Sequence, residues 1–486
     1  MIFELSKKSN NTLEYDYCIC GAGVSGITLA RKLAQAGKKV ALFEAGGKEY
    51  SETSHDSYAG KSIGISYDYG IQGCRLRYLG GTSNHWAGRT MFLQPVDFEQ
   101  RDFFELPGWP IAKSELDRFT SETFEILGLE ENSLDNPHIP ELTSSSMMTV
   151  GHGSAPPVRF GQKYYQEILD SENIHLYLNA NLTDINLYDA HDRVKSIKVK
   201  NYKGESKNFT GRRYVLAMGA IENARLLLNN NKQVKSGIGN HSDFVGRCFM
   251  EHFQLQMGKF VINTDNKFWK KNRLEFFPTR DFVIKNKIGT SVISFGSASN
   301  ATYGKMKELK KIIRDTVCAS NNLAELSHKL VDFNCPGDGI ITTLCEQAPN
   351  KESRVSLDKT VDDFGLNRVI VNWKMNELDK RTIRILAKET AKEFARLDFG
   401  RVQLPDYIID DSIDIPIVAH CHQMGTTRMA IDKEYGVVDS NSKIFGIDNI
   451  YMAGSSIFST GGGVNPTLSI VQLTLRLAEH LNTLRS

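Results

Sequence analysis

Residues 15–47 read YDYCICGAGVSGITLARKLAQAGKKVALFEAGG. YDYCIC is a short run rich in β-formers, and GAGVSG follows it without a gap. SGITLARKLAQAG then carries apolar residues at helical spacing, and Gly37 stands where a helix ends on glycine. KVALFEAGG is a second apolar strand that ends at Glu44. Together they make one βαβ unit of about 30 residues. Gly21, Gly23 and Gly26 form GxGxxG between strand and helix. The first glycine permits the tight turn, the second lets backbone approach a pyrophosphate, and the third allows close helix–strand packing. Glu44 lies 23 residues after Gly21, where a carboxylate accepts hydrogen bonds from both ribose hydroxyls and repels a 2′-phosphate. The unit predicts a dinucleotide site, with the phosphates at the positive end of the helix. It does not by itself separate FAD from NAD.

Outward from this unit, residues 46–90 are rich in Gly, Ser and Tyr and irregular. KSELDRFTSETFEILGL is the clearest helix of residues 91–130. Residues 175–218 read as strands, with Lys203-Gly204 at a hairpin turn, and AIENARLLLNN follows as a helix. Residues 255–415 hold mixed strands and helices without a glycine fingerprint. KMKELKKIIRDTVCASNNLAELSHKLVDF is their most helical piece, and its basic start reads as a solvated face rather than a membrane contact. The last 70 residues return to strand, turn and helix. There is no internal repeat and no low-complexity linker.

The chain has 486 residues, which predicts two or three domains at roughly 100–200 residues each. Hydrophobic residues are 41% and charged residues 24%, and the net charge is +2. That balance speaks against nucleic acid as a partner. None of the eight cysteines forms a CxxC pair, so the expectation is buried reduced thiols and no metal site. MIFELSKKSNNTLEYDY lacks a signal-peptide core, and no run of ~18 apolar residues predicts a membrane span. These features together predict a cytoplasmic protein.

Four further segments carry a resemblance. They are LGGTSNHW (79–86) followed by LQPVDFEQRDFFELPGWPI, YVLAMGAIENARLLL (214–228), VGRCFMEH (245–252), and HQMGTTRM (422–429) followed by VVDSNSKIFGIDNIYMAGSSIFSTGGGVNPTLSIVQLTLRLAEHL. With the fingerprint they resemble the glucose–methanol–choline (GMC) oxidoreductases, most closely the branch of pyranose oxidase and the fructose and gluconate dehydrogenases. The resemblance covers residues 15–130, 175–255 and 415–486. It implies FAD and an α/β (α+β overall) fold. A Rossmann-like FAD-binding domain would be assembled from residues 1–90, 175–255 and 415–486. A substrate domain of mixed sheet and helices would take residues 91–174 and 256–414. It also implies cofactor contacts from Gly21, Gly23, Gly26, Glu44, Gly80, Gly81, Asn84, His85, Gly454, Asn465, Pro466 and Thr467. A histidine at the place of His85 is the covalent flavin attachment in some members and unattached in others.

The reaction implied is oxidation of an alcohol to a carbonyl by hydride transfer to flavin N5. It needs a base for the hydroxyl proton, and histidine suits this. The resemblance puts that base at His422, with His420 as the neighbouring rival, and its partner at Asn465. Asn465 before Pro466 also reads as a helix cap with proline at the first helical position. That helix would point its N-terminus at the flavin and favour the anionic reduced form. Arg428 reads as half of a structural salt bridge. The implied substrate is a sugar or sugar-like secondary alcohol. A non-sugar alcohol of a biosynthetic pathway, or flavin binding without turnover, are the alternatives. Oxygen, a quinone or a protein all fit as electron acceptor.

Overall fold

The computed structural model describes residues 2–3, 5, 14–130, 139–151, 153–154, 156–262, 275–297 and 338–484. Six strands form a wholly parallel sheet in the order β1 (Ile2–Phe3), β4 (Ile174–Tyr177), β3 (Val40–Phe43), β2 (Tyr15–Cys20), β5 (Gly211–Leu216) and β6 (Ile450–Met452). A parallel sheet is covered on both faces, and its strands are accordingly apolar throughout. Tyr17, Ile19, Val40 and Leu42 pack in one layer with Ile27 and Leu33 of helix α1 (Val24–Gln35) and Leu468 and Val471 of the C-terminal helix. Cys18, Cys20, Ala41 and Phe43 bury into the other core.

From β2 the chain crosses to β3 on one side and later returns to β5 on the other. Strand order thus reverses at β2, which opens a crevice at the carboxyl ends of the strands. Helix α2 (Ala220–Asn229) starts just beyond β5, and helix α3 (Thr467–Thr483) follows β6. Glycine decides how tightly the chain turns here. Gly21 has φ +103°, and a Cβ on it would stand 2.5 Å from the Ala217 carbonyl oxygen. A Cβ on Gly26 would stand 1.8 Å from the Gly21 oxygen, whereas one on Gly23 would meet nothing within 4 Å. Two of the three glycines are therefore demanded by packing and the third faces open space.

The second sheet is antiparallel. Gly400–Gln403, Phe253–Ile262, Asp338–Cys345, Ser291–Ser297, Glu275–Pro278 and Met147–Thr149 follow in that order, and Val418–Ala419 pairs onto Phe253–Ile262. Helix Glu377–Arg396 starts from a reciprocal Asn376–Asp379 cap. Its Phe394 packs against Phe260, Phe295 and Phe399.

The hairpin expected at Lys203-Gly204 forms between Val194–Lys200 and Ser206–Phe209, with Gly204 at φ +79°. The single helix expected over KSELDRFTSETFEILGL is two, Ser114–Asp117 and Thr120–Leu127. The break lets Leu116 bury in one core and Phe124 in the other. The basic segment from Lys305 to Phe333 lies outside the described residues. No helix among the described residues is long and apolar enough to cross a membrane.

Gly26→Ala should destabilise the protein by about 3 kcal/mol or more, the upper end for overpacking, because backbone rather than a pliable side chain must yield. Denaturant unfolding checks this, and a midpoint equal to that of the parent would refute the packing role.

Candidate active site

One cavity of about 510 Å³ lies along the carboxyl ends of the parallel strands. Gly21, Gly23 and Ser25 line it from the start of α1, Gly219 and Ala220 from α2, and Asn465, Pro466 and Thr467 from α3. Three helix N-termini thus give the cavity a positive potential from backbone alone. Glu44, Gly81, His85 and Gly454 also line it. Three residues of the expected contact set stand behind the wall. Gly26 packs under Gly21, and Gly80 lies against Gly161. Asn84 donates to the Leu79 carbonyl at 2.9 Å, holding its own turn.

Glu44 follows β3 directly and is buried. Its carboxylate accepts from the Ala22 N–H at 3.0 Å and the Gly46 N–H at 2.9 Å. It thereby ties the glycine loop to the second strand. Burial pushes its pKa up, against those two donors and Arg77. Arg77 also lines the cavity, and its buried Nε has no protein partner among the described residues. His85 is exposed toward solvent and cavity, and burial by its surroundings, with Arg159 and His55, lowers its pKa.

Strand pairing builds a histidine cluster at the cavity wall. Phe253 pairs with Ala419, and Met250 and Met424 exchange backbone hydrogen bonds at 3.0 and 2.9 Å. Between those points only Glu251 and His252 oppose the longer stretch His420–Gln423, which must bulge. Cys421 takes up the bulge at φ +61°. His420 and His422 then both line the cavity, their rings stacked at 4.6 Å. Of the two, His422 approaches Asn465, with 3.5 Å between its Nε2 and the amide nitrogen. On its other side His422 Nδ1 lies 2.9 Å from His252 Nδ1. Glu251 accepts from the backbone N–H groups of His422 and His252 and from the Tyr67 hydroxyl. Burial drives the Glu251 carboxyl up to about 7. Burial drives the His422 imidazole well below its ordinary range, and His252, His420 and Arg89 push the same way.

Glu251 and His252 were not among the residues singled out from the sequence, although they end the VGRCFMEH motif. Helix α3 also begins one residue later than a cap at Asn465 requires. Pro466 occupies the cap position and no side chain caps the helix, so the Asn465 amide is free to reach His422. Arg428 is buried, but it donates to the carbonyls of Tyr435 and Pro107 rather than to a carboxylate. The thiol expectation fails at one pair: Cys74 and Cys421 form a disulfide. Their separation of 347 residues hid the pairing from any reading of local spacing. Cys18, Cys20, Cys248 and Cys345 are free and buried, and Cys318 and Cys335 lie outside the described residues.

Comparison with known proteins decides the family. The description "GMC oxidoreductase" matches residues 349–474 and "FAD dependent oxidoreductase" matches residues 16–243. The chain belongs to the GMC oxidoreductases. It is 24% identical to a 2-methyl-1,2-propanediol dehydrogenase of Mycolicibacterium austroafricanum, over 96% of this chain and 95% of that one. It is 22% identical to the paromamine 6'-oxidase of Streptomyces fradiae, over 96% and 91%. Its fold matches pyridoxine 4-oxidase from Mesorbium loti with a TM-score of 0.60, at 16% identity, over 97% and 100% of the two chains.

FAD is the cofactor of this GMC oxidoreductase, and the residues present fit it. Open space stands above Gly23 and Gly219 where any other residue would intrude. The unpartnered Arg77 Nε adds a donor for an oxygen-rich ligand. Glu44, His422 and Asn465 all line this one cavity.

The disulfide clamps the bulge that carries both cavity histidines. A non-reducing peptide map should recover Cys74 and Cys421 in one cross-linked species, and free thiols at both would refute the bond. The Cys74→Ser/Cys421→Ser double variant should lose about 2–4 kcal/mol of stability.

Proposed function

We propose that this enzyme oxidises an alcohol CH–OH to a carbonyl, with His422 as the base and Asn465 as the group that holds the alcohol oxygen. The observation that carries the reading is the approach of the Asn465 amide to His422 Nε2 at the cavity wall. An alcohol oxygen between them would accept a hydrogen bond from the amide and give its proton to the imidazole. FAD bound in the cavity supplies the hydride acceptor. His422 takes the hydroxyl proton as the carbon–hydrogen bond breaks and its electron pair departs with the hydrogen. Asn465 fixes the oxygen so that this hydrogen points along one direction. The α3 N-terminus favours negative charge where it faces the cavity.

Glu44 would receive the adenosine ribose, since each carboxylate oxygen keeps a lone pair after its backbone bond. The substrate class we favour is a sugar or sugar-like secondary alcohol. A non-sugar diol is the second reading, favoured by the relative named for 2-methyl-1,2-propanediol. The Cys74–Cys421 disulfide weighs against the cytoplasmic location expected from composition, because such bonds persist mainly in oxidising compartments. The electron acceptor that fits is oxygen, a quinone or a protein.

Anaerobic bleaching of the flavin by a panel of alcohols tests the reaction, and a panel without a single bleaching alcohol would overturn it. His422→Ala should retain FAD and be reduced ~10²–10⁴-fold more slowly. Asn465→Asp should also be slow, because its carboxylate opposes alkoxide formation. An unchanged rate in His422→Ala would shift the base to His420.

The pH dependence has a definite sign. A lowered pKa keeps His422 neutral, and so able to accept a proton, as the pH falls through the ordinary histidine value of about 6.5. The reduction rate should therefore stay flat through that value and fall only well below it. A midpoint at or above it would contradict the assignment.

His85 faces the cavity from the LGGTSNHW turn and would be the point of any covalent flavin bond. Acid precipitation separates the cases. Yellow colour in the pellet, lost in His85→Ala, would show the bond. All colour in the supernatant would rule the bond out.

A further inference from the structure

His252 does not itself line the cavity, yet it is fully buried against the candidate base. Its Nε2 lies 2.7 Å from the Gly462 carbonyl oxygen. A carbonyl has no proton to give, so Nε2 carries the hydrogen and donates it. The ring is neutral: burial lowers its pKa to about 4, and His420 adds to that, against weaker opposing contributions from the Gly461 and Gly462 carbonyls and Glu346. A neutral imidazole protonated at Nε2 has a bare lone pair at Nδ1. That nitrogen faces His422 Nδ1 at 2.9 Å, with the two rings nearly perpendicular at 85°. Two bare nitrogens would repel at this distance, so His422 Nδ1 carries a hydrogen and donates it. Its remaining nitrogen, Nε2, is then left with a lone pair on the side of Asn465.

Resting on the assignment of His422 as the base, we propose that His252 is a positioning residue that fixes the tautomer of His422. It keeps the His422 proton on Nδ1 and the proton-accepting lone pair on Nε2, toward the substrate. The Gly462 carbonyl starts this chain of donors and acceptors, and the sequence supplies the means to put it there. STGGGVNP sets three glycines in a row at 461–463. A Cβ on Gly463 would stand 2.4 Å from the Ser291 backbone, and one on Gly462 would stand 2.5 Å from the Leu93 side chain. The segment can approach His252 from behind only because those side chains are missing. Glu251 holds the backbone of His422 while His252 holds its ring, so base position and base protonation are set by adjacent residues of one strand end.

Three substitutions at His252 separate tautomer control from packing. His252→Asn places an amide oxygen where Nδ1 was and keeps the acceptor toward His422. His252→Gln places an amide near the Nε2 position and keeps the donor toward Gly462, but loses that acceptor. His252→Leu keeps neither. With His422 free to carry its proton on Nε2, flavin reduction at saturating alcohol should fall about 10–100-fold in the Gln and Leu variants. The half-saturating alcohol concentration and FAD content should be unchanged, and His252→Asn should keep most of the rate. In a His422→Ala background, His252→Leu should add no further loss. Gln as fast as Asn, or Asn as slow as Leu, would overturn the tautomer role and leave packing. His422→Ala at the parent rate would overturn the base assignment, and the proposal with it. A slow His422→Ala beside a fully active His252→Leu would overturn the positioning role alone.

Discussion

The contact of Gly26 on the Gly21 carbonyl, and of Gly21 on Ala217, is the constraint on which the rest of the molecule rests. It brings the start of α1 down onto the sheet beside the end of β5. The ends of β2, β3 and β5 then share one edge, and helices α1, α2 and α3 all begin there. Their unpaired N–H groups and aligned dipoles converge on the same cavity. A larger residue at either glycine would lift the helix, and the focus of positive potential would be lost with it.

Charge is buried around this cavity in closed groups. Glu222, the acid of AIENARLLL, is held by Arg75 at 3.0 Å and Arg225 at 3.1 Å, with Arg77 at 3.6 Å. Arg225 also reaches Asp362 at 2.6 Å. This network ties the first turn of α2 to the loops around Tyr58 and Leu366. A buried group of this kind adds little net stability as a whole, but losing one member strands a charge at ~3–5 kcal/mol. Behind the glycine segment a second group does similar work. Arg101 grips Glu346 through two bonds of 2.7 Å. Glu346 accepts from the Thr290 N–H, and the Thr290 hydroxyl accepts from Gly463 N–H. The backbone facing His252 is thus fixed by a buried ion pair two contacts away.

The histidine cluster shows how the two sheets divide the work. The parallel sheet supplies α3 and Asn465. The antiparallel sheet supplies His252 and, through the added strand Val418–Ala419, His420 and His422. Register alone brings them together: the pairing at Phe253 and Ala419 and the one at Met250 and Met424 differ by a bulge, and the bulge turns both cavity histidines inward. The disulfide at Cys421 and the Glu251 carboxylate, which accepts from the His422 N–H, hold that irregular backbone at two adjacent residues.

The sequence by itself determined the βαβ unit, its glycine loop and Glu44, because strand alternation, helical spacing and glycine sterics act within about 30 residues. It also determined His422 and Asn465 as candidates, through motifs that carried a resemblance. Their approach, the break between Ser114–Asp117 and Thr120–Leu127, the carbonyl partners of Arg428, the Cys74–Cys421 bond and the place of His252 were decided only by the tertiary structure. Each depends on partners up to hundreds of residues apart, and no local propensity encodes which of eight cysteines or which histidine will meet another. Helix α3 illustrates the limit: composition indicated a cap at Asn465, while packing at the cavity shifted the start to Pro466 and freed the amide for His422.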